Sequence, residues 1–151
     1  MPADHNLLVN QLLEIMLQVA LLGKSYPGQK KQRAFFPDID LVKNQDEIII
    51  SNQHLENYCE IHVSGFRITI LTESEITARA NAMGDFPYFT LTEADLFQNV
   101  ATLSLQLSYA VSEESEKTGM MYLSGGGVRV KFECTRGKWK APEGQISTWM
   151  A

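Results

Sequence analysis

The sequence contains little cysteine. Cys59 and Cys134 are its only two cysteines in 151 residues, whereas a small secreted domain held together by disulfides usually carries four or more. Each cysteine falls where a strand pattern turns its side chain inward, and a free thiol packs there as a small hydrophobe. The sequence therefore argues against a disulfide framework and predicts two buried thiols.

A membrane-length apolar run and a secretory signal are also lacking. The apolar run from Leu7 to Leu22 is shorter than the roughly 20 residues that a membrane span needs, and it contains Glu14. The start, Met-Pro-Ala-Asp-His-Asn, lacks the positive charges of a secretory signal. We expect a soluble cytoplasmic protein, or part of an assembly made in the cytoplasm, with no membrane partner.

Motifs of known catalytic chemistry are missing as well. The sequence has no Gly-x-Ser-x-Gly nucleophile turn. The triple glycine at 125–127 is not followed by Lys-Ser/Thr, and a strand pattern comes next where a phosphate loop needs a helix. We therefore expect no catalytic residue and no cofactor, and we interpret the glycines as a hairpin turn.

The metal-type ligands form one weak cluster. His54, Cys59 and His62 lie close together in sequence, with Glu56 and Glu60 between them. On a strand, Cys59 and His62 would point to opposite faces because their separation is odd. Structural zinc needs four ligands and catalytic zinc needs three, so we expect no metal site and a polar sheet face instead.

Positive net charge is absent, because 18 acids outnumber 13 lysines and arginines for a formal charge of −5. This balance argues against nucleic-acid binding, although the basic segments 24–36 and 129–140 leave it open as a third function. The charges are segregated along the chain: fourteen acids lie between Asp38 and Glu116 against three bases. Candidate interaction residues are the basic and aromatic residues of two clusters outside that stretch: Lys30, Lys31, Arg33, Arg129, Lys131, Lys138 and Trp139.

The chain is organised around the stretch Leu7–Leu22, which is apolar almost all the way round a helix. Its polar residues form one thin stripe, Asn10, Glu14 and Gln18, at helical spacing. Asp4 or Asn6 is the expected N-cap, and Gly23 is the expected residue after the helix. A helix with so little polar surface needs cover on most sides, so residues 5–22 predict a central helix.

The later segments predict strands around this helix. Apolar alternation indicates strands at 47–51, 58–64, 66–71, 103–111 and 128–134, the last reached from 120–123 through a glycine hairpin. Residues 72–85 favour a short helix ending at Gly84, although Ile76, Ala78 and Ala80 also fit a weak strand. Thr92 resembles the cap of a two-turn helix to Asn99. We predict a single α+β domain over 1–151. Its helix spans 5–22, a curved antiparallel sheet with strands within 46–135 packs around that helix, and the tail 136–151 is irregular.

Two classes of function follow from this reading. The first is a non-catalytic structural or interaction protein that self-assembles or docks into a larger protein complex, as the all-round apolar helix and segregated charge suggest. The second is a small-molecule-binding domain or small enzyme with a pocket between sheet and helix, where Glu14, Glu60 and His62 would supply the polar lining.

Overall fold

The computed structural model describes residues 2–28, 39–43, 45–55, 60–117, 126–142 and 144–149. In chain order, these residues form α1 (Pro2–Leu22), α2 (Asp40–Lys43), β1 (Glu47–Ser51), β2 (Arg67–Leu71), α3 (Glu73–Met83), β3 (Phe86–Phe97), β4 (Val100–Ala110), α4 (Glu113–Lys117), β5 (Gly126–Thr135), β6 (Lys138–Lys140) and β7 (Ile146–Trp149). The α+β class predicted from the sequence is confirmed.

Helix α1 begins earlier than the sequence pattern predicts. Pro2 opens it, at a position where a missing N–H and a fixed φ cost a helix nothing. Asp4 and Asn6 consequently lie inside the helix, and their prediction as N-caps is wrong. The other end is as predicted, because Gly23 follows Leu22 with a φ of 71° and donates its N–H to the Val19 carbonyl.

The strands form one curled, mixed sheet rather than a purely antiparallel one. The order is β2-β1-β3-β4-β5-β6, with β7 also paired to β5. Strands β3, β4, β5, β6 and β7 pair antiparallel, whereas β1 runs parallel to both of its neighbours, β2 and β3. Strand β3 runs in the same direction as β2 because α3 carries the chain from the end of β2 back across β1 to its far side.

The two faces of the sheet bury different helices. The inner face packs on α1, and the core there includes Leu13 and Met16 of the helix with Phe89, Leu105 and Phe132 of the strands. On the outer face, Ile76 and Ala80 of α3 pack against Ile49, Ala110 and the half-buried Phe86. The sheet therefore packs around an N-terminal helix as predicted, and α3 adds a second layer at one end.

The predicted helix over 92–99 is wrong, because this segment continues β3. Leu91 pairs with Leu105 and Glu93 with Ser104, so Thr92 occupies a bulge in the ladder. Gln98, with a φ of 55°, makes the turn into β4. The long pairing with β4 outweighs the local helix-start signal of Thr92 and the acids after it. Strand β4 itself is confirmed, with Leu105 and Leu107 fully buried.

The predicted strand at 58–64 is wrong over the residues that are described there. Residues 60–64 contain one isolated antiparallel bridge, Val63 to Phe66, around a turn at Ser64-Gly65. Tyr58 and Cys59 lie outside the described residues. The next two predictions are confirmed: β2 covers 67–71, and α3 ends at Gly84 after a capping box formed by Thr72 and Glu75.

The tail is not irregular, which corrects the prediction for 136–151. Arg136, with a φ of 55°, and Gly137 turn the chain back so that β6 pairs with the end of β5. Strand β7 then pairs with the start of β5, and Trp149 lies over Gly127. Gly127 is required at that point, because a Cβ there would lie 2.4 Å from the Leu105 carbonyl oxygen and 2.5 Å from the Trp149 ring.

Candidate functional site

The three predicted pocket residues, Glu14, Glu60 and His62, do come together at one place. Glu14 Oε1, on the polar stripe of α1, accepts the backbone N–H of His62 at 2.6 Å. Forty-eight residues separate the two in sequence, so this bond ties the segment before β2 to the central helix. The carboxylate thus holds backbone, which is a different task from the ligand binding predicted for it.

The side chains of Glu60 and His62 point into solvent. His62 Nε2 lies 3.6 Å from Glu60 Oε2. The side chain of His62 is 81% exposed, and that of Glu60 is 85% exposed. An ion pair with that exposure contributes little to stability, because water screens it. The imidazole can therefore exchange the Glu60 carboxylate for another partner with little loss of stability.

A cleft opens beside these side chains, along the edge of the sheet. Its volume is about 680 Å³, and its lining comes from the segment 60–66 and from β2. The polar lining includes Glu60, His62 and Arg67, and the apolar lining includes Phe66 and Ile70. This cleft lies at the free edge of β2 and Glu14 is not among its lining residues, so the pocket between sheet and helix stays a prediction.

Strand β2 has a neighbouring strand on one side only within the described part of the chain. Arg67 donates its N–H to the Asp46 carbonyl, and the Leu71 carbonyl accepts from Asn52, so both ends bond towards β1. Along a strand, the N–H and C=O groups of successive residues point alternately towards the neighbour on one side and the neighbour on the other. Ile68 and Ile70 therefore direct their N–H and C=O groups away from β1, to the side where the described residues place no strand.

The segment before β2 leaves this edge at the point where it bonds to Glu14. Residues 60–63 begin to pair with β2 through the Val63–Phe66 bridge, as the alternating sequence predicts. His62 then gives its N–H to Glu14, while Ile61 enters the main core. The segment thus leaves the plane of the sheet towards α1 after one bridge, and Ile68 and Ile70 keep only partial cover.

The outer face of β2 is fixed by one carboxylate. Glu47 of β1 accepts from the Thr69 hydroxyl and from Arg79 of α3, and Arg67 lies 3.5 Å away. The Thr69 bond is the chief reason that the pKa of Glu47 lies below its ordinary value, and the two arginines add to it against the opposing effect of burial. This network connects β1, β2 and α3, so it holds β2 in place at the edge.

Arg129, a predicted interaction residue, has a partner within its own chain. Its Nε lies 2.9 Å from Glu93 Oε1, across Ser104 on the outer face of the sheet. The bond to Arg129 and a second from Ser104 lower the pKa of Glu93. Part of the segregated charge is therefore neutralised intramolecularly, between the acidic middle segment and β5.

The other predicted interaction residues with described positions differ in exposure. Lys131 and Lys138 are exposed on β5 and β6, whereas Trp139 is half-buried against the main core. Lys30, Lys31 and Arg33 lie outside the described residues. The role of all these residues as contacts stays a prediction.

Comparison with known proteins finds no match: no family model, no curated protein and no solved structure resembles the chain. Two searches of the structure were also negative. In the described residues, no three His, Cys, Asp or Glu side chains are placed to hold a metal ion. No helix in those residues is long and apolar enough to cross a membrane.

Sequence reasoning missed the edge of β2, which is the most distinctive feature of this region. The alternation of Phe66, Ile68 and Ile70 indicates a strand, but strand order decides whether such a strand is central or at an edge. One signal of an edge strand was present in the chain. Edge strands are usually protected by charges, proline or short length, and β2 carries one charged residue, Arg67, at its start.

Proposed function

We propose that this chain is a non-catalytic interaction protein that self-assembles. The observation that supports the proposal is the side of β2 without a neighbouring strand in the described residues, where Ile68 and Ile70 are only partly buried. Such an edge is a template for pairing with another strand. Proteins that stay monomeric usually protect it along its length, whereas β2 has one charged residue, Arg67, at its start, so the rest of this edge favours a contact with a partner.

Helix α1 does not need a second subunit to cover it. The apolar character of the helix suggested that a second subunit has to cover it, but its own chain buries Val9, Leu12, Leu13, Met16 and Leu17 almost completely. Of its large apolar residues with described side chains, Leu7 is the prominently exposed one, at 58%. The sheet edge therefore replaces the helix as the basis for expecting assembly.

Sedimentation velocity tests the proposal. The full chain is compared from about 1 to 100 μM protein at low and high salt. We expect the mean mass to rise with concentration towards a multiple of 17.0 kDa. Backbone pairing should survive salt, whereas contacts between exposed charges would weaken. A monomer at every salt and concentration overturns self-assembly.

The second candidate function is binding of a small molecule in the cleft beside β2. The observation in its favour is the mixed lining, with Glu60, His62 and Arg67 next to apolar side chains around about 680 Å³. Native mass spectrometry of protein purified from its own cells tests it. An extra mass that stays bound to the chain supports this function, and the loss of that mass in the His62→Ala variant would locate it.

A further inference from the structure

We propose that the partner is a second copy of this chain, added antiparallel to β2 across a twofold axis through Thr69. This inference specifies the self-assembly proposed above and rests on it. In that arrangement Ile68 lies opposite Ile70 of the second copy, and Thr69 lies opposite its own equivalent. The two sheets join into one continuous sheet.

The backbone groups of β2 fit this register. Both outward-facing residues, Ile68 and Ile70, lie one position from Thr69, so a twofold axis there exchanges them. Each residue then forms a hydrogen-bonded pair with its counterpart, in which both N–H groups donate and both C=O groups accept. All four outward groups of each copy are used, and no group is left without a partner at the join.

The side chains fit it too. Ile68 and Ile70 pack on the inner side with the main core and keep partial exposure, so cross-strand Ile–Ile pairs would complete their burial. On the outer side, Arg67 lies opposite Leu71 of the second copy, one diagonal step from Glu73. Arg67 is 74% exposed and Glu73 is an exposed residue at the start of α3. The twofold axis makes this opposite-charge contact twice.

The contact should be modest in strength. Two five-residue strands fall short of the roughly 1,200 Å² that a stable interface buries, even with side chains of the cleft rim added. Dimer formation should therefore depend on concentration, with half of the chains paired at about 10–100 μM. The register, rather than the affinity, is the specific part of the inference.

Cysteine trapping tests the register. In a background with Cys59 and Cys134 replaced by serine, Thr69→Cys places two thiols at a non-hydrogen-bonded antiparallel pair. The Cα atoms of such a pair are about 4.5 Å apart, within disulfide range. Arg67→Cys is the matched control: it is on the same strand and highly exposed, but its equivalent lies about 13 Å away in this register, at 3.3 Å per residue.

Mild oxidation should join the Thr69→Cys chains into a covalent dimer at least tenfold faster than the Arg67→Cys chains. Equal rates, or a faster Arg67→Cys reaction, would overturn the register. Circular dichroism of both variants verifies that the sheet is formed, because Thr69→Cys also loses the bond to Glu47.

A proline pair tests the edge without a new thiol. Ile68→Pro removes an outward N–H of β2 and should leave the β1 ladder intact, while dimer formation falls at least tenfold. Thr148→Pro makes the same change on β7, where Thr148 is exposed and alternates with residues bonded to β5. It should not change dimer formation.

The outcomes separate this inference from the self-assembly proposal. If Ile68→Pro sediments like the parent chain and both still assemble, the β2 edge is the wrong surface and self-assembly stands. If the parent chain is a monomer throughout, both proposals fail. Hydrogen exchange adds one more test: protection of the Ile68 and Ile70 amides should rise with protein concentration. Protection that is independent of concentration would mean that the chain covers its own edge, and this also overturns the inference.

Discussion

Glu14 of the central helix accepts the backbone N–H of His62 at 2.6 Å. The bond holds the segment before β2 against the helix, at a residue whose N–H would point away from β2 if the Val63–Phe66 pairing continued. Replacing Glu14 by alanine should free residues 60–63 and lower the free energy of unfolding by about 1 kcal/mol. Glu14→Gln keeps an acceptor oxygen and should lose less. Hydrogen exchange at the His62 amide measures the effect, and unchanged protection in Glu14→Ala would contradict it.

The buried helix predicts a large cost for truncation. Leu12 is 1% exposed inside the main core, so Leu12→Ala should lower the free energy of unfolding by about 2–5 kcal/mol. Leu7→Ala is the matched control on the same helix, since Leu7 is 58% exposed and should cost well under about 1 kcal/mol. Urea unfolding followed by circular dichroism gives both values. Similar costs at the two positions would contradict the enclosed helix.

The two faces of β4 should respond oppositely to charge. Leu105 is fully buried, whereas its neighbour Gln106 is partly exposed and donates to the Ser108 hydroxyl. Leu105→Asp should unfold the domain because it buries an unpaired carboxylate. Gln106→Asp should leave the melting temperature within a few degrees of the parent. A thermal melt of each variant decides the matter, and equal tolerance would mean that the faces are assigned wrongly.

Acid should weaken the outer-face network around Glu47. The pKa of Glu47 is lowered in the folded chain from its ordinary 4.5, first by the Thr69 hydroxyl and then by Arg79. The unfolded chain therefore takes up the proton first as pH falls. Stability from this group is complete above pH 4.5 and is lost as pH falls through the lower folded pKa. Glu47→Gln should flatten the pH dependence of urea unfolding in that window, and an unchanged pH dependence would contradict the role of this network.

Gly127 and Trp149 predict a steric test of the tail. A methyl group at Gly127 would meet the Leu105 carbonyl and the Trp149 ring, so Gly127→Ala should cost about 1–3 kcal/mol of stability. Trp149→Ala removes one of the two obstacles, so the double variant should lose less than the sum of the two single changes. Additive losses would show that β7 does not lie over Gly127.

The sequence was most informative where periodicity was long. Helix α1 and strand β4 keep one pattern over many residues, and tertiary packing follows that pattern. The helix predicted after Thr92 failed because a bulge in a strand can carry the same residues as a helix cap. The parallel pairs of β1 escaped prediction because strand direction is set by the connections between the strands, which lie outside the paired segments.

The position of the candidate site was predicted in part, because it too follows from periodicity. Helical spacing placed Glu14 on a polar stripe, and alternation placed Glu60 and His62 together, which the structure bears out as proximity. The chemistry differs, because no sequence pattern tells whether a carboxylate binds a ligand or a backbone N–H. The open edge of β2 depends on strand order, which is a property of the whole sheet.

The placement of α1 has a consequence for synthesis. The helix is made before the strands that cover it, and these extend to β5, which begins at Gly126. Roughly a hundred residues must follow before that cover exists, and at about 5–20 residues per second this takes about 5–20 s. During that interval, the nearly all-apolar helix has no complete sheet to pack against. Aggregation through the helix is therefore most favoured before translation reaches β5, whatever the finished protein later binds.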